Sequence, residues 1–345
     1  KEGGAISSIA GLGGVVITAG VGFLIAIGLG CQSIPSLYLA MALAFSSTVV
    51  VVKILSDKNE MDTLHAKITL GILIVQDFIA ALALLIMPIL QKGSINSIIF
   101  QLVKMFVLIL LVFLISAIFI KKFLHYLAKN QEVLFLFGIA WALLVANLFH
   151  YLGLSLEIGA LIAGMSLASS KYTLELGGKI KPLRDFFIIL FFVFFGSQLA
   201  APINMTVIKQ AAIFSAFVLI GKPLIIMTMM KFFGYKKRTN FLTGGSLAQI
   251  SEFSLILVLV GFSLGHLTQE IMSLTVLTAI VTIGASSYSI YYSHRIFNKF
   301  SRILGIFEGK RNGIEGTPKD TYEVILFGYN RIGYNLLETL QKMKK

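Results

Sequence analysis

The sequence predicts an all-α polytopic membrane protein folded as an inverted repeat, with an interrupted helix at the corresponding position of each half and the start of an α/β Rossmann domain at its C-terminal end. Three observations carry that prediction. Of 345 residues, 57% are hydrophobic and only 13% charged, and the mean hydropathy of +0.89 lies far outside the range of a soluble domain. Apolar stretches of about 20 residues recur between short polar breaks, the length a helix needs to cross ~30 Å of hydrocarbon. Two of these stretches are interrupted at mid-depth by polar and small residues.

Taken in order, the spanning segments are Ala5–Gly30, Ser36–Val52, Ile68–Leu90, Ile98–Ile120, Val133–Tyr151, Leu156–Ser170, Asp185–Leu199, Val207–Met230, Phe241–Leu264 and Ile271–Tyr292. Barrel strands would be about half as long and would alternate. The net charge of +13 does not mark a nucleic-acid binder, because the basic residues follow topology. Alternate connections carry Lys53, Lys58 and Lys67; Lys121, Lys122 and Lys129; Lys171, Lys179, Lys181 and Arg184; and Lys231, Lys236, Lys237 and Arg238. The intervening ones carry only Lys92 and Lys209. By the positive-inside rule the first set faces the cytoplasm, as do both chain ends, and the protein is expected as a multi-pass component of the inner (plasma) membrane. The single cysteine, Cys31, excludes an internal disulfide. His65, His125, His150, His266 and His294 fall at segment ends or loops, and no His/Cys set has zinc spacing. The Phe187–Phe195 run reads as lipid-facing and packing surface.

The second segment carries Ser46-Ser47-Thr48 at its centre; the ninth carries Gly244-Gly245-Ser246, Gln249, Ser251 and Glu252. Interrupted hydrophobic segments at corresponding positions of two halves point to a secondary-transporter site, since unwound backbone exposes carbonyls and half-helix ends. For the hydroxyl run alone, bonding back to its own helix is the competing reading. Segments one to three and eight to ten run in opposite senses with the broken helix second in each, which makes an inverted repeat. Segments five to seven then need partners too, so three further helices are expected ahead of Lys1, with segment four linking the halves.

Residues 1–298 are thus expected as the membrane domain, 299–321 as a linker and 322–345 as the start of a regulatory domain. Tyr322–Phe327 reads as a buried strand, followed by a turn containing Gly328 and Gly333 and a helix-like Tyr334–Lys342. A strand, a glycine turn and a helix open a dinucleotide fold. Asn330 stands where that pattern wants glycine, and a β-α unit binding no nucleotide is the alternative. No cofactor is required; a regulatory nucleotide on this segment is the one ligand of that kind the sequence suggests.

The chemistry centres on Asp77, the only acid between Asp62 and Glu132. An ionisable group near the bilayer centre costs about 2.5–3.5 kcal/mol on insertion scales and persists mainly where it handles charge. Desolvation penalises an ionised carboxyl, so a proton or a monovalent cation can neutralise the same group, and binding one expels the other. Gln76 offers a neutral oxygen beside it, whereas a divalent ion would want more carboxylates. Ser47, Thr48, Lys222, Ser251 and Glu252 fall at similar depth. Lys222 reads either as a structural counter-charge at negatively polarised helix ends or as a direct participant. Pro223 beside it should bend its helix and free a carbonyl. A passive channel and an enzyme using Asp77 as base are the competing classes. An enzyme would need a nucleophile or metal near Asp77, and the sequence offers neither clearly.

The succession SSTVVV at Ser46–Val51, QD at Gln76-Asp77, PLRDFFIILFFVFFGSQL at Pro182–Leu199, GKPL at Gly221–Leu224 and AQISEFSLIL at Ala248–Leu257 resembles the monovalent cation:proton antiporter-2 family, its Kef-type members above all. That resemblance implies a thirteen-helix sodium/proton-antiporter-like fold with two crossing broken helices, a homodimer, and exchange of potassium for protons without net charge. Sodium/proton exchange and a ligand-gated potassium efflux system are the alternatives. Residue by residue it implies Asp77 as the cation and proton site, with Gln76, Ser47 and Thr48 around it. Gln249, Ser251, Glu252 and Lys222 would then belong to the second broken helix and its charge compensation.

Overall fold

A computed structural model describes residues 2–86, 95–154, 156–168, 170–197, 199 and 204–309, and every regular element among them is helical. In chain order these are α1 (Glu2–Gly28), α2 (Ser33–Ala44), α3 (Thr48–Asp57), α4 (Leu64–Ile86) and α5 (Ile95–Ile115). A π-helical turn, Ser116–Ile120, leads to α6 (Lys121–Leu127), α7 (Gln131–Tyr151), α8 (Leu156–Ala168) and α9 (Thr173–Ser197). Then come α10 (Met205–Ala216), a second π-helical turn (Phe217–Gly221), α11 (Lys222–Phe232), α12 (Lys237–Ser246), α13 (Glu252–Ser263), α14 (Gln269–Tyr291) and α15 (Ser293–Phe300). A short 3₁₀ turn, Ile303–Phe307, closes the described chain within the stretch expected as linker. The strand and glycine turn expected at 322–345, with Gly328, Asn330 and Gly333, lie outside the described residues.

Among the described residues, seven helices or helix pairs are long and apolar enough to cross a membrane, with α2 and α3 counted as one span and α10 and α11 as another. The other expected spans differ for visible reasons. The apolar helix at Ile158–Ala168 is short, and α12 and α13 are two halves of a broken segment. The ninth helix begins at Thr173, ahead of its apolar part, and carries Lys179, Lys181, Pro182 and Arg184 in its first half. Phe186, Phe187, Val193 and Phe194 point outward from it while Phe195 is buried, as the aromatic run leads one to expect.

Packing divides these helices into two sets. The first four helices and α10–α14 enclose one polar-centred body: α1 lies against α2, α4 and α11, α13 against α2 and α4, and α14 against α3, α10 and α12. The helices from α5 to α9 pack chiefly on one another, with Ala81 of α4 entering their core. Apolar side chains do not drive helices together inside a bilayer, so close approach through small residues takes over. At Gly71 a Cβ would sit 2.6 Å from the Ser7 side chain, so the small Ser7 of α1 packs there directly on the backbone of α4. Outward-facing Phe100, Phe106, Leu110 and Leu114 on α5 make the complementary lipid surface.

Candidate functional site

Both interruptions read from the sequence are real breaks. The first helix of the pair stops at Ala44 and the chain runs unwound through Phe45–Ser47 before α3 starts at Thr48. The second stops at Ser246 and resumes at Glu252. Each restart is capped locally. Ser47 Oγ accepts from the Val50 amide at 3.3 Å, and Ser251 Oγ accepts from the Phe253 amide at 3.1 Å while Ser254 Oγ accepts from the Ser251 amide at 3.2 Å. Such caps satisfy amides that a helix start leaves without intrahelical partners. The hydroxyl run therefore does not bond back to one continuous helix; it ends one helix and begins another.

Hydrogen bonds then join the two breaks to each other. Ser46 Oγ donates to the Leu247 carbonyl at 3.0 Å, and Ser254 Oγ donates to the Ala42 carbonyl at 2.6 Å. Gln76 Oε1 accepts from the Ser46 amide at 3.0 Å, so α4 holds the first break in place. Lys222, only 1% exposed, donates from Nζ to the carbonyls of Phe45 (2.7 Å), Gln249 (3.0 Å) and Leu43 (3.1 Å). One ammonium thus meets the end of α2 and the second break together. The placement is physically apt, because a helix C-terminus carries partial negative charge and unpaired carbonyls. Gln249 itself is fully buried, with its amide nitrogen donating to the Ser246 carbonyl at 3.2 Å.

Pro223 was expected to bend its helix. The local answer is the π-helical turn Phe217–Gly221, after which Pro223 enters the first turn of α11, where a missing N–H costs least. The Pro223 carbonyl faces α12: a Cβ on Gly244 would lie 2.9 Å from that oxygen, so glycine lets the two helices close.

Three oxygen-bearing side chains around the first break are half-buried, not sealed: Thr48, Asp77 and Glu252. Thr48 Oγ1 donates to Asp77 Oδ2 at 2.8 Å. Glu252 accepts from Ser251 Oγ at 3.4 Å and from the Ser47 hydroxyl, which brings the start of α13 to the first break. The sequence-predicted residues Ser47, Thr48, Gln76, Asp77, Lys222, Gln249, Ser251 and Glu252 therefore form one connected constellation. Sequence reasoning missed Ser254 and the backbone carbonyls. The spacing Ser251-x-x-Ser254 is a capping-box pattern that could have exposed Ser254; nothing in a sequence flags the Phe45 carbonyl. Among the described residues no group of three or more His, Cys, Asp and Glu is placed to hold a metal ion.

Two broken helices meeting each other, with a carboxylate beside one break and a lysine on the carbonyls of both, are the arrangement found at the sites of secondary transporters. The chain belongs to the sodium/hydrogen exchanger family, whose transmembrane region matches residues 1–290. It is 32% identical over 269 residues to K(+) efflux antiporter 6 of Arabidopsis thaliana, covering 73% of this chain and 44% of that protein. It is 29% identical over 269 residues to the putative cation/proton antiporter YbaL of Escherichia coli K12, covering 74% and 48%. Over 253 residues it is 26% identical to the ammonium/H(+) antiporter subunit AmhT of Alkalihalophilus pseudofirmus, covering 72% and 65%. These similarities place it among the Kef-type monovalent cation:proton antiporters, and the chain spans less than half the length of the first two relatives.

Proposed function

We propose that this chain exchanges a monovalent cation, potassium in the first instance, for a proton at Asp77. The observation that carries the reading is the Asp77 carboxylate itself: half-buried in a spanning helix, it is fixed by the Thr48 hydroxyl at the point where α3 restarts. A carboxylate so placed is neutralised by a proton or by a cation, and each expels the other. Thr48, with Ser47 and Gln76 beside it, orients the acceptor. Lys222 is a positioning residue, since its three bonds go to backbone and hold the two breaks together. Glu252 and Ser251 line the second helix start facing Asp77. Potassium is favoured because K(+) efflux antiporter 6 is among the relatives and because a neutral glutamine, not a second acid, precedes Asp77.

The reading includes the inverted repeat. The trio α1, α2/α3, α4 and the trio α10/α11, α12/α13, α14 each place their broken helix second, and the breaks cross where Ser46 meets Leu247. It also includes a homodimer in the plasma membrane with the lysine-bearing connections on the cytoplasmic side. One cation displacing one proton moves no net charge.

The test is proton movement in proteoliposomes driven by a potassium gradient. Asp77→Asn should abolish it while the protein remains folded, and near-normal exchange in that variant would overturn the assignment. With the gradients fixed, an imposed membrane potential of either sign should leave the reversal point unchanged; a reversal point that follows the potential would refute one-for-one coupling. Substituting sodium for potassium distinguishes the sodium alternative.

A further inference from the structure

The end of α14 and the segment after it form a surface that the exchange chemistry does not use. Tyr288, Tyr291 and Tyr292 are exposed at the last turns of α14, where a spanning helix reaches the membrane boundary. Interfacial aromatic residues of this kind mark the headgroup level. The chain turns at Tyr292 into α15, which is strongly amphipathic, and then into the 3₁₀ turn Ile303–Phe307.

At about 100° per residue the side chains of this stretch sort onto distinct faces. Ser293, Phe297 and Leu304 are buried, and Phe297 and Leu304 pack on Met227. A polar flank is tied to the protein: His294 Nε2 lies 2.9 Å from Glu60, and Lys237 Nζ donates to the Ser301 carbonyl at 3.3 Å. The opposite flank bears Phe300 (45% exposed) and Ile303 (65%), continued by Ile306 (69%). Between the flanks, facing away from the protein, stand Arg295, Lys299 and Arg302. None of these three makes an ion pair among the described residues; Arg295 and Lys299 rest instead over the rings of Tyr292 and Phe300. The only acid in the stretch 293–309 is Glu308.

An apolar flank next to a row of cations without carboxylate partners, fixed at the end of a spanning helix, has the chemistry of a surface lying in the interface of an anionic bilayer. We propose that residues 295–306 bind anionic phospholipid headgroups of the cytoplasmic leaflet through Arg295, Lys299 and Arg302, with Phe300, Ile303 and Ile306 inserted among the acyl chains. Water-exposed placement would leave the three apolar side chains uncovered, whereas the bilayer covers them and supplies phosphate to the cations. The inference is independent of which ion is exchanged.

The experiment places a reporter on the apolar flank. An Ile303→Trp variant in a Trp141→Phe background is reconstituted into phosphatidylcholine vesicles containing an equal mole fraction of brominated phosphatidylglycerol or brominated phosphatidylcholine. Quenching by both lipids is expected, with the phosphatidylglycerol isotherm displaced to lower mole fraction by about fivefold or more, since each basic residue near an anionic surface is worth roughly that factor. Adding Arg295→Gln, Lys299→Gln and Arg302→Gln should make the two isotherms coincide while quenching persists. Equal quenching by the two lipids before the basic residues are changed would remove the anionic preference. No quenching by either would remove the surface altogether. Because Ile303 is exposed and away from the core, the reporter reads the unperturbed fold; retained melting behaviour in detergent verifies this.

Discussion

Lys222 shows how a single buried charge organises this molecule. Among the described residues its ammonium is satisfied by three backbone carbonyls and by no acid, so removing it strands three acceptors in the interior. Lys222→Met relieves the cost of burying a cation but loses those bonds, and the second effect should win by about 2–4 kcal/mol, read as a lower melting midpoint in detergent. Lys222→Arg should not restore it, because a planar fork cannot address three converging carbonyls as a point charge does. Thr48→Val makes the contrasting case. It removes the hydroxyl donated to Asp77 without touching the helix caps, so stability should stay within about 0.5 kcal/mol of the parent. Its effect should appear as an apparent potassium affinity in the exchange assay weakened about tenfold, the factor that 1.4 kcal/mol of lost orientation represents. Unchanged affinity would detach Thr48 from the site.

Between elements, the joints are polar and the close approaches depend on absent side chains. Gly244→Ala puts a methyl 2.9 Å from the Pro223 carbonyl and 3.0 Å from the Met227 side chain, and the backbone of Pro223 has little room to yield. Separation of α11 from α12 should cost about 1–3 kcal/mol and move Lys222 relative to the second break, so the melting midpoint and exchange should fall together. The tie between α15 and the α3–α4 turn gives a pH test outside the membrane. Glu60 takes Lys58 at 3.0 Å and His294 at 2.9 Å, and His65 at 3.4 Å. Burial works to raise its carboxyl, but the hydrogen bonds from His294 and Lys58 and their charges outweigh it and hold the group below the usual glutamate value. A carboxyl lowered on folding stabilises above its unfolded value, and that contribution is lost as pH falls through the lowered one. Glu60→Gln should therefore depress the melting midpoint at pH values above the ordinary glutamate value of about 4.3, with the difference closing as pH falls below it.

For the molecule as a whole, the topology proposed from the lysine asymmetry is open to a direct test. Single cysteines replacing Lys58 and Lys237 should react with an impermeant maleimide from the cytoplasmic side only. One replacing His266, in the turn between α13 and α14, should react only from the opposite side. Any reversal rejects the topology and with it the opposed orientation of the two trios. The same turn carries a second polar joint: Tyr38 on α2 meets His266 at 2.8 Å, so the ends of α2 and α13 away from the lysine-bearing turns are linked as their inner ends are.

What the sequence determined by itself was composition, spacing and which polar residues stand out in the apolar segments. Hydrocarbon tolerates so few polar groups that each exception is informative, and this is why Ser46–Thr48, Asp77, Lys222 and Ser251-Glu252 could be picked out without coordinates. The breaks at both hydroxyl-bearing positions were legible for the same reason. Only the tertiary structure decided who satisfies whom. Lys222 turned out to serve carbonyls, which carry no sequence signature, and Gln76 turned to a backbone amide at the first break. Ser254 completed a cap while reaching across to Ala42. Helix lengths near polar stretches were equally hidden, since the charged first half of α9 continues the helix through residues that hydropathy assigns to a connection. A side chain's type states the charge or bond it needs, but its partner is fixed by where distant backbone comes to lie, and that is settled by the packing of all the helices at once.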